Sequence, residues 1–134
     1  CENANLLGGD NLAIYGNYTT VFVPTNSVLD QYIAEGNLPT DVDELRNFIK
    51  YFFTEHDQFS TRAVDIVTET HSLDTEQSTE FNRVYRTIAL NGTPGNLEVR
   101  GLNNDSGIRV IEGENSNIIC SNGIIHQIDG VLKY

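Results

Sequence analysis

The sequence is short of cysteine, of basic residues and of long apolar runs, and each shortage closes off a class of function. Two cysteines, Cys1 and Cys120, are too few for a disulfide framework. Eight Lys and Arg stand against 19 Asp and Glu, for a net charge of −11. Such a surface repels phosphate backbones and anionic lipid, which excludes nucleic acid as a partner. The arginines are scattered from Arg46 to Arg109 and form no patch in the sequence. No apolar run approaches the roughly 20 residues of a membrane span. No basic stretch followed by an apolar one opens the chain, so any signal peptide has been removed or left out. Internal repeats, low-complexity segments and long linkers are also lacking.

What is present reads as one globular domain over 1–134. A chain of 134 residues can bury roughly two-thirds of its unfolded surface without a metal or disulfide staple. Its 39% hydrophobic and 20% charged residues are ordinary for a folded domain. The opening, from Asn3 to Asn17, is rich in Gly and Asn and predicts a loop, with a short helical turn at Leu6-Leu7. Tyr18 to Val23 alternates and predicts a strand, which Pro24 ends. Thr25 and Asn26 are N-cap residues for a helix carrying Val28, Leu29, Tyr32 and Ile33 on one face, with Gly36 as its stop. A second helix follows Pro39, capped by Thr40 or Asp41, with Leu45, Phe48, Ile49, Phe52 and Phe53 as its apolar stripe.

From Arg62 the pattern turns to strands: 63–69, 81–90, 97–102, 108–112, 117–120 and 123–132. Turn signals separate them, among them Asn91-Gly92, Pro94-Gly95 and Asn122-Gly123. Helices early and antiparallel hairpins late predict an α+β fold. Cys120, within Ile118-Ile119-Cys120, reads as a small buried hydrophobe. Cys1 leaves three readings open: a lipid-bearing cysteine, a cut point in a longer chain, or half of a disulfide with Cys120.

Two segments at opposite ends carry a more specific signal. Tyr18 to Asn26 reads YTTVFVPTN, and Ser121 to Leu132 reads SNGIIHQIDGVL. Together, and in this order, they resemble the two signature boxes of the fasciclin-type domain family. The resemblance runs from Tyr18 to Tyr134. It implies a fasciclin-type α+β fold, with N-terminal helices packed on a mostly antiparallel β-sandwich or wedge. It also implies a non-enzymatic module for adhesion or interaction, with a protein or extracellular-matrix partner and no cofactor. The family carries a Tyr-His pair after the second helix. Here Leu45 to Phe52 reads LRNFIKYF, so Tyr51 matches and Phe52 replaces the histidine. That departure counts against the integrin-type adhesion tied to the pair in animal members. The helical stretch usual before the first box is missing, so the domain is abbreviated or trimmed there. With Cys1, the resemblance suggests a bacterial surface lipoprotein, anchored at an outer membrane only through lipid.

Matched to the family pattern are Thr20, Val21, Phe22, Pro24, Thr25 and Asn26 in the first box. Tyr51 and Phe52 mark the middle. Asn122, Gly123, His126, Ile128, Asp129 and Gly130 belong to the second box. Alternation puts Thr20 and Phe22 on one face, and Ile124, His126 and Ile128 on one face. His126 among isoleucines reads as a hydrogen-bonded core histidine, and Asp129 as a backbone-bonding carboxylate. No catalytic or metal site emerges, because His56, His71 and His126 lack metal-ligand spacing and no nucleophile elbow is present. Three glycosylation sequons occur, at Asn17, Asn91 and Asn104. The alternative function is carbohydrate binding in a surface glycan-uptake system, with Tyr15, Tyr18, Tyr85 or Tyr134 stacking on sugar rings.

Overall fold

The structure, a computed structural model, describes residues 7–8, 11–12, 19–55, 60–121 and 123–134. The backbones of β1 (Leu7–Gly8) and β2 (Asn11–Leu12) pair antiparallel. Leu7 is therefore extended rather than in a helical turn, and Leu6 lies outside the described residues. The remaining strands are β3 (Thr19–Pro24), β4 (Phe53–Glu55), β5 (Val64–Leu73), β6 (Tyr85–Thr93), β7 (Asn96–Arg100), β8 (Ile108–Arg109), β9 (Ile118–Cys120) and β10 (Gly123–Ile128). They form one eight-stranded sheet in the order β8-β7-β6-β5-β4-β3-β10-β9. All its pairings are antiparallel except β10 with β3. A bridge between Val110 and Ile128 ties the β8 end back to β10, so the sheet curls on itself.

Two helices connect β3 to β4. Helix α1 (Asn26–Ala34) begins at Thr25, whose hydroxyl accepts from the Val28 N–H at 3.3 Å. Gly36, at φ 74°, supplies the left-handed residue that ends it. Helix α2 (Val42–Lys50) is capped by Asp41, which accepts from the Asp43 and Glu44 N–H groups. Asp43 and Glu44 in its first turn and Lys50 in its last complement the helix dipole. Among the described residues no helix is long and apolar enough to cross a membrane.

The core joins Phe22, Phe48, Tyr51, Phe52 and Phe53 to Ile88, Leu90, Leu97, Val99, Ile128 and Leu132. Several expectations shift for reasons of packing. The second helix stops at Lys50, and Phe53 opens β4, a strand the sequence pattern does not announce. Tyr51, Phe52 and Phe53 are all buried. Three consecutive residues span about 200° of a helix, more than one buried stripe can cover. Breaking the helix lets each ring find the core. Asn91 and Gly92 lie inside β6, paired with Glu98 and Leu97, and the chain turns at Pro94-Gly95 instead. That register puts Leu90 opposite Val99, both fully buried, and the buried face selects the register. Phe81 is 95% exposed and precedes β6. It sits in a capped loop in which Asp74 N–H donates to Val84 O and Thr79 N–H to Asn82 O.

Cys120 is exposed, not buried. It lies on β9, the last strand of the sheet order, where Ile118 and Ile119 are exposed too. An apolar run marks a buried strand only when neighbours cover both sides, and among the described residues β9 pairs with β10 alone.

Candidate functional site

The two sequence boxes meet at the centre of the sheet. In the parallel β3–β10 register, Ile124 faces Thr20 and His126 faces Phe22. The Thr25 N–H donates to Ile128 O at 3.2 Å, so the strand-to-helix turn is tied to β10. Gly123 makes the close approach feasible: a Cβ there would lie 1.9 Å from Thr19 O. Thr20, Phe22, Ile128 and His126 are fully buried. Val21 and Pro24 are half-buried, and Asn26 is exposed on the first turn of α1. Asp129 accepts from the Arg109 N–H at 3.0 Å, and Gly130 passes over the Ile108 side chain. Cys1 and Asn122 lie outside the described residues.

His126 stacks on Phe22 with ring centroids 5.8 Å apart. Its Nδ1 accepts from the Asn117 N–H at 3.2 Å. Asn117 sits in the left-handed region at φ 52°. Its amide nitrogen donates to Ser60 Oγ at 2.6 Å, and its carbonyl accepts from the Ser60 N–H at 2.9 Å. Ser60 and Ser116 hydroxyls both reach Glu112 Oε2, at 2.9 and 3.1 Å. This network stitches the chain after β4 to the loop before β9. It is built from groups that bond one another, with His126 sealed in the core. Among the described residues no three His, Cys, Asp or Glu gather as a metal site would require.

Tyr51 is equally committed. Its hydroxyl donates to Thr87 O at 2.8 Å and accepts from the Leu102 N–H at 3.0 Å. Burial pushes this phenol above its ordinary pKa, partly offset by the Leu102 N–H and the Arg86 guanidinium. Phe52 is buried and meets Phe48 edge-on at 5.3 Å. The position where the family carries histidine is therefore an apolar core site.

The surface feature with binding character is a cleft of about 490 Å³ between the two helices, the β5–β6 loop and the C-terminal segment. Its floor is Phe48 and Leu132, both buried. Tyr32, from α1, lies nearly parallel to Phe48, 5.6 Å away and at an interplanar angle of 8°. Tyr134 forms another wall, edge-on to Tyr51 at 5.0 Å, with the Arg86 guanidinium 4.0 Å above its ring. Arg86 is held there by bonds to Ser72 Oγ and Leu73 O. Burial raises the pKa of both tyrosines; at Tyr134 Arg86 works against this, while Glu44 and Tyr32 reinforce it. Polar side chains of Glu44, Asn47, Glu76, Asn103 and Lys133 form the rim.

The structure redistributes the tyrosines expected to stack on sugars. Tyr85 and Tyr134 are half-buried, and Tyr15 and Tyr18 lie outside the described residues. Tyr32, Asn47 and Arg86 were not singled out by the sequence pattern. Tyr32 is concealed there as one more member of an apolar helix stripe. A second, more open depression along Val64, Asp65, Asn91 and Glu98 has no aromatic wall.

Against known proteins, no curated protein matches this chain. Among solved structures, a FAS1 domain pair from the insect cell adhesion molecule fasciclin I superposes with a TM-score of 0.58 at 15% identity. The match covers 86% of this chain and 36% of that one, and at this identity it speaks for the fold. The family model of the fasciclin domain matches residues 3–134. The curled sheet, its parallel β3–β10 centre and this match agree, and the chain belongs to the fasciclin domain family.

Proposed function

We propose that this domain is a non-enzymatic interaction module that works outside the cell or at its surface, binding a protein or extracellular-matrix ligand. One observation carries the reading: Tyr51 and His126, the family-pattern tyrosine and histidine, are spent inside the fold. Both are fully buried, with the Tyr51 hydroxyl and His126 Nδ1 bonded to backbone. Recognition then belongs to surface residues that the family pattern leaves free, and the cleft is where aromatic and polar groups converge. The net charge of −11 favours protein, matrix or glycan partners over nucleic acid.

Beads displaying many copies of the domain test this, because multivalency makes weak contacts measurable. They should adhere to at least one matrix-coated or cell surface above bare beads, and soluble domain should compete. Retention equal to bare beads on every surface would end the reading. A second reading, carbohydrate recognition, is supported by the cleft itself, where tyrosine rings stand beside two asparagine amides.

A further inference from the structure

The geometry points to the cleft as a binding site for a neutral saccharide of one or two rings. The inference rests on the carbohydrate reading of the interaction module and names the ligand class of that site. A volume of about 490 Å³ suits a small ligand rather than a folded surface. Tyr32 supplies the platform. Phe48 packs nearly parallel to its ring, 5.6 Å away, which fixes a tyrosine that lines the cleft and can meet the C–H face of a sugar. A platform held in place before binding loses little entropy when the ligand arrives.

The rim supplies matching polar groups. Among the described residues, the side chains of Asn47, Asn103, Glu44 and Glu76 make no hydrogen bond, so they keep their capacity for a ligand. Each amide offers donors and an acceptor side by side, as a pair of neighbouring hydroxyls requires. Charge then selects among ligands. In a chain of net charge −11, the cleft sets Arg86 and Lys133 against Glu44 and Glu76. A cationic ligand meets the first pair and an anionic ligand the second. A neutral polyhydroxyl ligand can bond to both.

The test is a saccharide array carrying neutral, acidic and amino sugars, probed with the multivalent domain and followed by titration of the best neutral hit. Saturable, competable binding to neutral sugars is expected. Asn47→Ala and Asn103→Ala should each weaken it by up to about tenfold, the upper range for losing one neutral hydrogen bond. Tyr32→Ala should abolish it. Because Tyr32 also packs on Phe48, the asparagine variants carry the test if Tyr32→Ala unfolds. Three outcomes overturn the inference: a blank array, a preference for charged sugars, or neutral binding unchanged in both asparagine variants. Bead adhesion with a blank array overturns the saccharide assignment alone. Loss of both overturns the interaction module with it.

Discussion

At the scale of single residues, the family-pattern side chains serve as joints. His126 fills a core position and also holds Asn117 in the left-handed conformation from which it grips Ser60. His126→Ala should cost about 3 kcal/mol in urea unfolding, the range for emptying a large core site. His126→Phe keeps a planar ring in the site but orphans the Asn117 N–H, and should cost about 1–3 kcal/mol. A neutral His126→Phe would mean that the hydrogen bond contributes nothing. His71, on β5, behaves differently. Among the described residues its Nε2 is buried without a partner, and burial lowers its pKa below the ordinary 6.5, against the Glu55 carboxylate and with Lys50. The unfolded chain then binds more protons between the folded value and 6.5. Stability should be complete above pH 6.5 and fall as pH drops below it. His71→Gln should flatten that slope in unfolding curves across the window. An unchanged slope would assign the acid sensitivity to other groups.

At the scale of elements, exposure is decided by neighbours. Ile118-Ile119-Cys120 has the composition of an interior strand, yet β9 stands at the sheet edge. The thiol of Cys120 should therefore react with a maleimide in the folded protein at a rate close to that in urea, with the labelled peptide mapped by mass spectrometry. Protection that only denaturant relieves would mean that β9 is covered. Helix α2 shows the same dependence. Its cap at Asp41 and its stripe through Leu45, Phe48 and Ile49 follow from spacing alone. Its end at Lys50 does not, because three successive buried aromatics outrank helix propensity.

At the scale of the whole molecule, the parallel β3–β10 pair closes a loop of about a hundred residues. Contacts so distant in sequence are costly in entropy and form slowly, which predicts folding in milliseconds to seconds. Strand β10 sits between β3 and β9 and brings Ile124, His126 and Ile128 to the core, with Val131 and Leu132 just beyond it. A chain ending at Ser121 should lack a cooperative thermal transition by circular dichroism. A sharp transition in that truncated form would show that the remaining strands hold a core without β10.

The sequence by itself determined the α+β class, the positions of α1 and of the start of α2, the alternation of β3, the core position of His126 on β10, and the family. These depend on caps, alternation and short strings, which are local properties of neighbouring residues. Only the tertiary structure decided the parallel pairing of β3 with β10, the exposure of Cys120, the continuation of β6 through Asn91-Gly92, and the cleft. Strand order sets which apolar run is covered, and a cleft uniting Tyr32, Arg86 and Tyr134 exists only once distant segments converge. No local pattern records either one.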